Sequence, residues 1–183
     1  MYSQFKYFCK DCLRGVDYKY LNLIMFVFTR QFLTILIYRF EHAMYITFGK
    51  VYTVIRVLFQ PLLKFFEVIT NSEIHYKASI GPGLKILHAS NGIIISRYAK
   101  IGRNLTLTGG NIIGIKNTDG KDQFIIVGNN CHLGGNAVII GSVVLGDDIT
   151  IGAMALVNKN FDSDSILIGV PATDRSKLKE VPN

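Results

Sequence analysis

An aliphatic residue recurs at every sixth position through the second half of this chain. Ile74, Ile80 and Ile86 are six apart. After a slip, Ile95, Ile101, Leu107 and Ile113 are six apart again. After a longer break, Val127, Leu133, Ile139, Leu145, Ile151 and Val157 hold the same spacing. Glycine directly follows seven of these anchors, at Gly81, Gly102, Gly114, Gly128, Gly134, Gly146 and Gly152. Small residues recur four places after an anchor, at Ala78, Ala99, Ala137 and Ala155. A period of two makes a strand and one of 3.6 a helix; six is neither. It suits a prism in which each unit forms one face and three units close a turn. The aliphatic residues then stack inward, and Gly or another small, permissive residue stands where the chain bends. Asn104, Asn129, Asn130, Asp147 and Asp148, beside the anchors, are also good corner residues. Thirteen anchors with two defined breaks argue against an ordinary β-sandwich.

Composition changes near residue 73. Residues 1–73 hold 17 of the 21 Phe and Tyr residues but 2 of the 17 glycines, so the repeat is preceded by a different architecture. That segment reads as helical, with Pro61 suited to a helix start or kink. Apolar residues run from Tyr20 to Tyr45, but Arg30, Arg39 and Glu41 leave no charge-free stretch long enough to span a bilayer. No signal-peptide cleavage site stands out. The segment is expected to pack on sister subunits, to lie on a membrane surface, or both. Net charge is +7, which leans towards anionic partners without selecting one. The basic residues are dispersed and the repeat holds few aromatics, so nucleic acid is not an expected partner. Cys9 and Cys12 form a single CxxC with no second pair, and Cys131 lies far away; a reducing, cytoplasmic setting fits.

The repeat resembles the hexapeptide-repeat acyltransferase family, whose fold is a left-handed parallel β-helix. Within it, the chain is most similar to serine acetyltransferases and to capsule or exopolysaccharide O-acetyltransferases. The resemblance covers about residues 36–173. It begins at Tyr38-Arg39-Phe40-Glu41-His42, runs through Ile74-His75-Tyr76-Lys77-Ala78-Ser79-Ile80-Gly81, and ends at Ile168-Gly169-Val170-Pro171-Ala172. It implies an all-β solenoid of about five coils over residues 74–173, preceded by a short α-helical N-terminal segment (1–73) and followed by a C-terminal tail (174–183). It also implies an acetyl-CoA-dependent enzyme working as a homotrimer, with active sites between subunits.

A uniform repeat has no pocket, so its two breaks are where chemistry is expected. The first, between Ile86 and Ile95, contains Leu87-His88-Ala89-Ser90-Asn91-Gly92. Transfer from a thioester to a hydroxyl needs a base near neutral pKa, and histidine is the natural choice. Position alone leaves His88 open between such a base and a solvated corner residue. The resemblance assigns it as the general base, because the family's catalytic histidine stands in a similar His-Ala-Thr-Gly stretch; Asn91 beside it is a candidate substrate contact. The second break, between Ile113 and Val127, holds the loop 115–124. In serine acetyltransferases this loop supplies an Arg-His pair; here Gln123-Phe124 stands in its place. The acid that precedes the family's catalytic histidine is replaced by Leu87. A serine ammonium thus loses two polar partners, unless Asp119 or Asp122 substitutes. The expected acceptor is therefore a saccharide hydroxyl in capsule, exopolysaccharide or lipopolysaccharide synthesis. The alternative is serine O-acetylation for cysteine synthesis, and a second alternative is a non-catalytic or zinc-binding β-helix.

For the donor, acetyl-CoA, the resemblance points to Gly114, Gly135 and Ala153 along the pantetheine groove. Lys159, with Arg175 and Lys177, is a candidate for the phosphates. No metal is expected, because His75, His88 and His132 show no spacing that would bring them to one ion. The family's serine enzymes end in an isoleucine tail that docks into cysteine synthase; Val181-Pro182-Asn183 does not match it. The expected location is the cytoplasm, with peripheral contact at the inner face of the membrane.

Overall fold

The computed structural model of the protein describes residues 2–16, 25–116 and 123–176. The helices described in full come first: α1 (Tyr2–Gly15), α2 (Arg30–Phe48), α3 (Lys50–Leu58) and α4 (Gln60–Thr70). Local chemistry sets their ends. The Thr29 hydroxyl caps α2 by accepting the Phe32 N–H at 3.2 Å. Gly49, at φ 55°, ends α2 and turns the chain into α3. Pro61 lies in the first turn of α4, as its missing N–H favours, and Asn71 closes that helix in the left-handed conformation. Among the described residues no helix is long and apolar enough to cross a membrane.

The rest of the chain deals short strands in turn to three sheets. The first sheet holds β1 (Ser72–Ile74), β4 (Ile93–Ile95), β7 (Asn111–Gly114), β10 (Val138–Ile140) and β13 (Leu156–Val157). The second holds β2 (Ser79–Ile80), β5 (Ala99–Ile101), β8 (Ile125–Val127) and β11 (Val143–Leu145). The third holds β3 (Lys85–Ile86), β6 (Thr106–Leu107), β9 (His132–Leu133), β12 (Thr150–Ile151), β14 (Ile166–Ile168) and β15 (Thr173–Asp174). All pairings are parallel except that of β14 with β15.

Every anchor of the six-residue repeat pairs with another anchor. Ile74, Ile95, Ile113, Ile139 and Val157 align across the first sheet. Ile80, Ile101, Val127 and Leu145 align across the second, and Ile86, Leu107, Leu133 and Ile151 across the third. All of them are buried in one core. The three extra residues of the first break form a single 3₁₀ turn, Ala89–Asn91, and β4 rejoins the register after it.

The chain passes from first to second sheet at a first edge, from second to third at a second edge, and from third back to first at a third edge. Along the second edge the bend is made by Gly83 at φ 88° in the first turn and then by the left-handed Asn104, Asn130, Asp148 and Asp164, with φ between 56° and 61°. Asn104 donates to Asn130, and Asn130 to Asp148, through side-chain bonds of 2.9 and 3.0 Å. Gly102 serves a different purpose there: a Cβ on it would lie 2.6–2.9 Å from Asn129 and Gly128. Close stacking of successive turns, not the bend itself, excludes a side chain.

The helical part is clamped to the start of the sheets by residues 38–42. The Tyr38 hydroxyl donates to the Ala78 carbonyl at 3.0 Å and accepts the Ile80 N–H at 3.1 Å. Arg39, wholly buried, donates to the Ile80 and Gly81 carbonyls at 2.7 Å and to Asp11 at 2.8 Å. Asp11 in turn accepts the N–H groups of Gly83 and Leu84 at 2.7 and 2.8 Å. Burial pushes the Asp11 carboxyl upward, while Arg39 and the two amides pull it down. His42 Nδ1 donates to the Tyr76 carbonyl at 2.8 Å and its ring stacks on Tyr38.

Candidate functional site

His88 follows β3 at the third edge and opens the Ala89–Asn91 turn. Its backbone is fixed from three sides. The His88 N–H donates to the Thr108 carbonyl at 2.9 Å, and its carbonyl accepts the Asn91 N–H at 3.2 Å. Ala89 is buried in the core, where α2 packs against the turn. Asn71, at the end of α4, donates to the Ser90 carbonyl at 3.1 Å. The ring itself is exposed and has no hydrogen-bond partner among the described residues. A rigid backbone thus presents an open imidazole, the arrangement a general base needs before its substrate arrives.

Two residues that the sequence reading passed over shape the same edge. A Cβ at Gly109 (φ 134°) would run into the His88 carbonyl, so glycine lets the next turn lie directly beneath it. Asn111, wholly buried, accepts the Gly109 N–H at 2.9 Å and donates to the Gly134 carbonyl at 2.7 Å. The signal for Asn111 was available: a polar side chain stands at the inward-facing start of β7 where β4 has Ile93.

The other candidates divide between two edges. Gly135 and Ala153 stand two residues past Leu133 and Ile151, on the third edge with His88 and Asn91. Gly135 accepts the Met154 N–H and Gly109 accepts the Asn136 N–H, both at 2.9 Å, which keeps these turns in step. Gly114 ends β7 at the first edge, and Lys159 follows β13 there. Gln123, half-buried, leads into β8 at that edge as well. Asp119, Asp122 and Lys177 lie outside the described residues. Lys159 is exposed, with its Nζ 5.4 Å from the Phe161 ring centroid. Arg175 donates its backbone N–H to the Ile166 carbonyl beside the antiparallel β15.

Gly114 and Gly135 share a property that most glycines of the edges lack. Neither has positive φ, and an added Cβ would meet only Ile112 at 3.6 Å or Thr108 at 3.9 Å. Among the described residues nothing demands glycine at either place. Open backbone at these points is what a narrow ligand or a second subunit would require.

The remaining reactive groups stand apart. His75 is on the first edge, its Nδ1 accepting the Lys77 N–H at 3.1 Å and its ring stacked on Tyr76. Burial, then Arg56, Arg97 and Lys77, push its pKa down to about 4. His132 faces outward on the third sheet, 3.2 Å from the Thr108 hydroxyl. Among the described residues no group of three His, Cys, Asp or Glu side chains is placed to hold a metal. Cys131 is buried and its thiol is pushed up by burial, which disfavours a thiolate nucleophile.

No family model matches the chain. It is 33% identical over 143 residues to the serine acetyltransferase of Helicobacter pylori strain J99, covering 78% of this chain and 80% of that enzyme. It is 31% identical over 116 residues to the serine acetyltransferase of Mycobacterium tuberculosis, covering 63% of this chain but half of that longer enzyme. Among solved structures, soybean serine acetyltransferase complexed with serine has a TM-score of 0.81 at 20% identity. That likeness covers 95% of this chain and 70% of the soybean chain. Serine acetyltransferase from Brucella abortus in complex with coenzyme A has a TM-score of 0.78 at 22% identity, over 92% and 66% of the two chains. At these identities the structures speak for the fold.

The sequence relatives correct the expected acceptor. A saccharide hydroxyl was inferred from Leu87 and Gln123, which replace two polar groups of the serine enzymes. The relatives matched over most of this chain are serine acetyltransferases, so that inference does not stand. Its physical weakness is that two replaced side chains do not by themselves identify an acceptor. Leu87 is 40% exposed, so the position before His88 faces outward and leaves room for other groups to meet a ligand. With a relative at 33% identity spanning four fifths of its length, this chain belongs to the serine acetyltransferase family of hexapeptide-repeat acyltransferases.

Proposed function

We propose that the protein is a serine O-acetyltransferase that moves an acetyl group from acetyl-CoA to the hydroxyl of L-serine. The observation that carries this reading is the match to the Helicobacter pylori serine acetyltransferase across 78% of this chain and 80% of that enzyme. The strand order fits a left-handed parallel β-helix of about five coils, the fold the resemblance implies, with α1–α4 packed at its start.

In this mechanism His88 takes the serine hydroxyl proton as the oxygen attacks the thioester carbonyl. The tetrahedral oxyanion is stabilised by backbone N–H donors, and collapse expels the CoA thiolate, which takes up a proton. Asn91, one turn on from His88, contacts the acceptor. Asp119, Asp122 and Gln123 on the long loop complete its polar surroundings. The open backbone at Gly114, Gly135 and Ala153 receives the pantetheine arm, and Lys159 meets the phosphates. No covalent enzyme intermediate is needed, in keeping with the buried, raised thiol of Cys131.

The division of these residues between edges supports a homotrimer. His88, Gly135 and Ala153 lie at one end of the first sheet, and Gly114, Gln123 and Lys159 at the other. A single ligand meets both sets when the third edge of one copy faces the first edge of the next, giving one site per interface.

Mass detection of O-acetyl-L-serine after incubation of the purified protein with acetyl-CoA and L-serine tests this reading. Serine-dependent product supports it. A folded chain that binds CoA but forms no product from serine overturns it.

A further inference from the structure

Charge is sorted among the three edges. The described turns of the third edge, residues 87–92, 108–110, 134–136, 152–154 and 169–171, hold no Asp, Glu, Lys or Arg. The described turns of the first edge carry Lys77, Arg97, Lys116 and Lys159 and no carboxylate. L-Serine brings a carboxylate that, once out of water, needs a cation beside it. His88 does not supply one, because a general base is neutral when it takes the hydroxyl proton. The cation therefore comes from the first edge that faces His88 in the homotrimer.

Position along the stack of turns selects among the four. Adjacent turns are about 4.8 Å apart and three edges share that rise, so each step from edge to edge climbs about 1.6 Å. Copies related by a rotation axis along the stack keep the same height. Only β4 separates the His88 turn from the Arg97 turn, which is one step on. Lys116 is four steps on, about 6 Å, and Lys159 ten steps, about 16 Å, at the end assigned to the CoA phosphates. Lys77 is two steps back, but its ammonium lies over aromatic rings, 5.5 Å from the Tyr45 centroid and 5.6 Å from that of Tyr76.

Arg97 is exposed and forms no ion pair among the described residues. Its guanidinium carbon lies 4.9 Å from the Tyr98 ring centroid. Its turn is held on both sides. The Ser96 N–H donates to the Ile113 carbonyl at 2.8 Å, and the Tyr98 carbonyl accepts the Ile125 N–H at 3.2 Å. A fixed backbone thus carries a planar fork of the kind that grips a carboxylate through two parallel N–H···O bonds.

We propose that Arg97 of one copy binds the carboxylate of the serine whose hydroxyl proton His88 of the next copy removes. The acceptor site then selects a free α-amino acid over its uncharged-carboxyl analogues. This inference rests on the serine acceptor and the homotrimer of the proposed function.

Steady-state kinetics with L-serine and with L-serinamide, whose amide carries no charge, test it. The wild type should prefer serine. Arg97→Gln should raise the KM for serine about tenfold or more and cut that preference by a similar factor. Its KM for acetyl-CoA and its thermal midpoint should not move, since the side chain is exposed and makes no ion pair among the described residues. Arg97→Lys, which keeps the charge but not the fork, should recover part of the loss. A wild type that turns over serine while Arg97→Gln keeps its serine KM, or loses serine and serinamide alike, would overturn the proposal and leave the serine reading standing. A wild type that binds CoA but forms no product from serine would remove both.

Discussion

Replacing Arg39 by methionine would leave Asp11 as a buried carboxylate without its counter-ion. Arg39 is 2% and Asp11 0% exposed, and their Nε–Oδ2 separation is 2.8 Å. Removing one member of such a pair costs about 3–5 kcal/mol. Two carbonyls, of Ile80 and Gly81, lose their donors at the same time, which places the loss at the upper end of that range. For a domain of this size each kcal/mol shifts the thermal midpoint by about 2–4 °C, so a drop of about 10 °C or more is expected. The cause can be separated from lost packing. Asp11→Asn keeps an oxygen for the Gly83 and Leu84 N–H groups but removes the charge. Adding it to Arg39→Met should recover about 2 kcal/mol or more, because the uncompensated charge is then gone. Thermal and urea unfolding of the wild type, both single variants and the double variant measure this. An Arg39→Met loss below about 1 kcal/mol, or a double variant worse than either single one, would refute the clamp as the junction between helices and sheets.

The edges give a paired test. Gly102→Ala forces a methyl to within 2.6–2.9 Å of Asn129 and Gly128 and should cost about 1–3 kcal/mol in urea unfolding. Gly135→Ala meets only Thr108 at 3.9 Å; it should leave stability within about 0.5 kcal/mol yet raise the KM for acetyl-CoA. Acid should destabilise the fold through His42 and His75, both held down by burial. Since the unfolded chain titrates near about 6.5 and His75 near about 4, the unfolded state binds more protons in between. Stability should therefore fall as pH drops through that window, by at most about 1.4 kcal/mol per unit per histidine, and a flat urea midpoint would contradict it. If sites form between copies, co-expressing His88→Ala and Gly114→Arg chains should restore activity at about a quarter of the sites. Two inactive chains that stay inactive when mixed would place each site within one copy.

The fold was largely legible because the repeat is a packing rule written at fixed spacing. Each aliphatic anchor had to meet its counterpart one turn on, and Ile74 to Val157 do so without exception. The role of the glycines was less legible. Gly102 yields to the backbone of the neighbouring turn, a contact between residues far apart in sequence, while the left-handed bends fell to Asn104, Asn130 and Asp148. The motif at residues 38–42 was visible only as a resemblance. Its physical content, a buried clamp on Ala78, Ile80 and Gly81, depends on tertiary placement. At the candidate site, the break in the repeat located the His88 turn, but not Asn71 and Asn111, whose partners lie 19 and 23 residues away. The acceptor was misread because single replacements were weighed against a site whose other walls the spacing could not show.

Turnover of acetyl-CoA with L-serine by wild type and His88→Ala, alongside CoA binding by both, tests the central claim most directly. The expected result is serine-dependent thiol release that His88→Ala lowers by at least about 10²-fold while CoA affinity is retained. Near-wild-type release by His88→Ala, or none from serine by a wild-type chain that binds CoA, would contradict it.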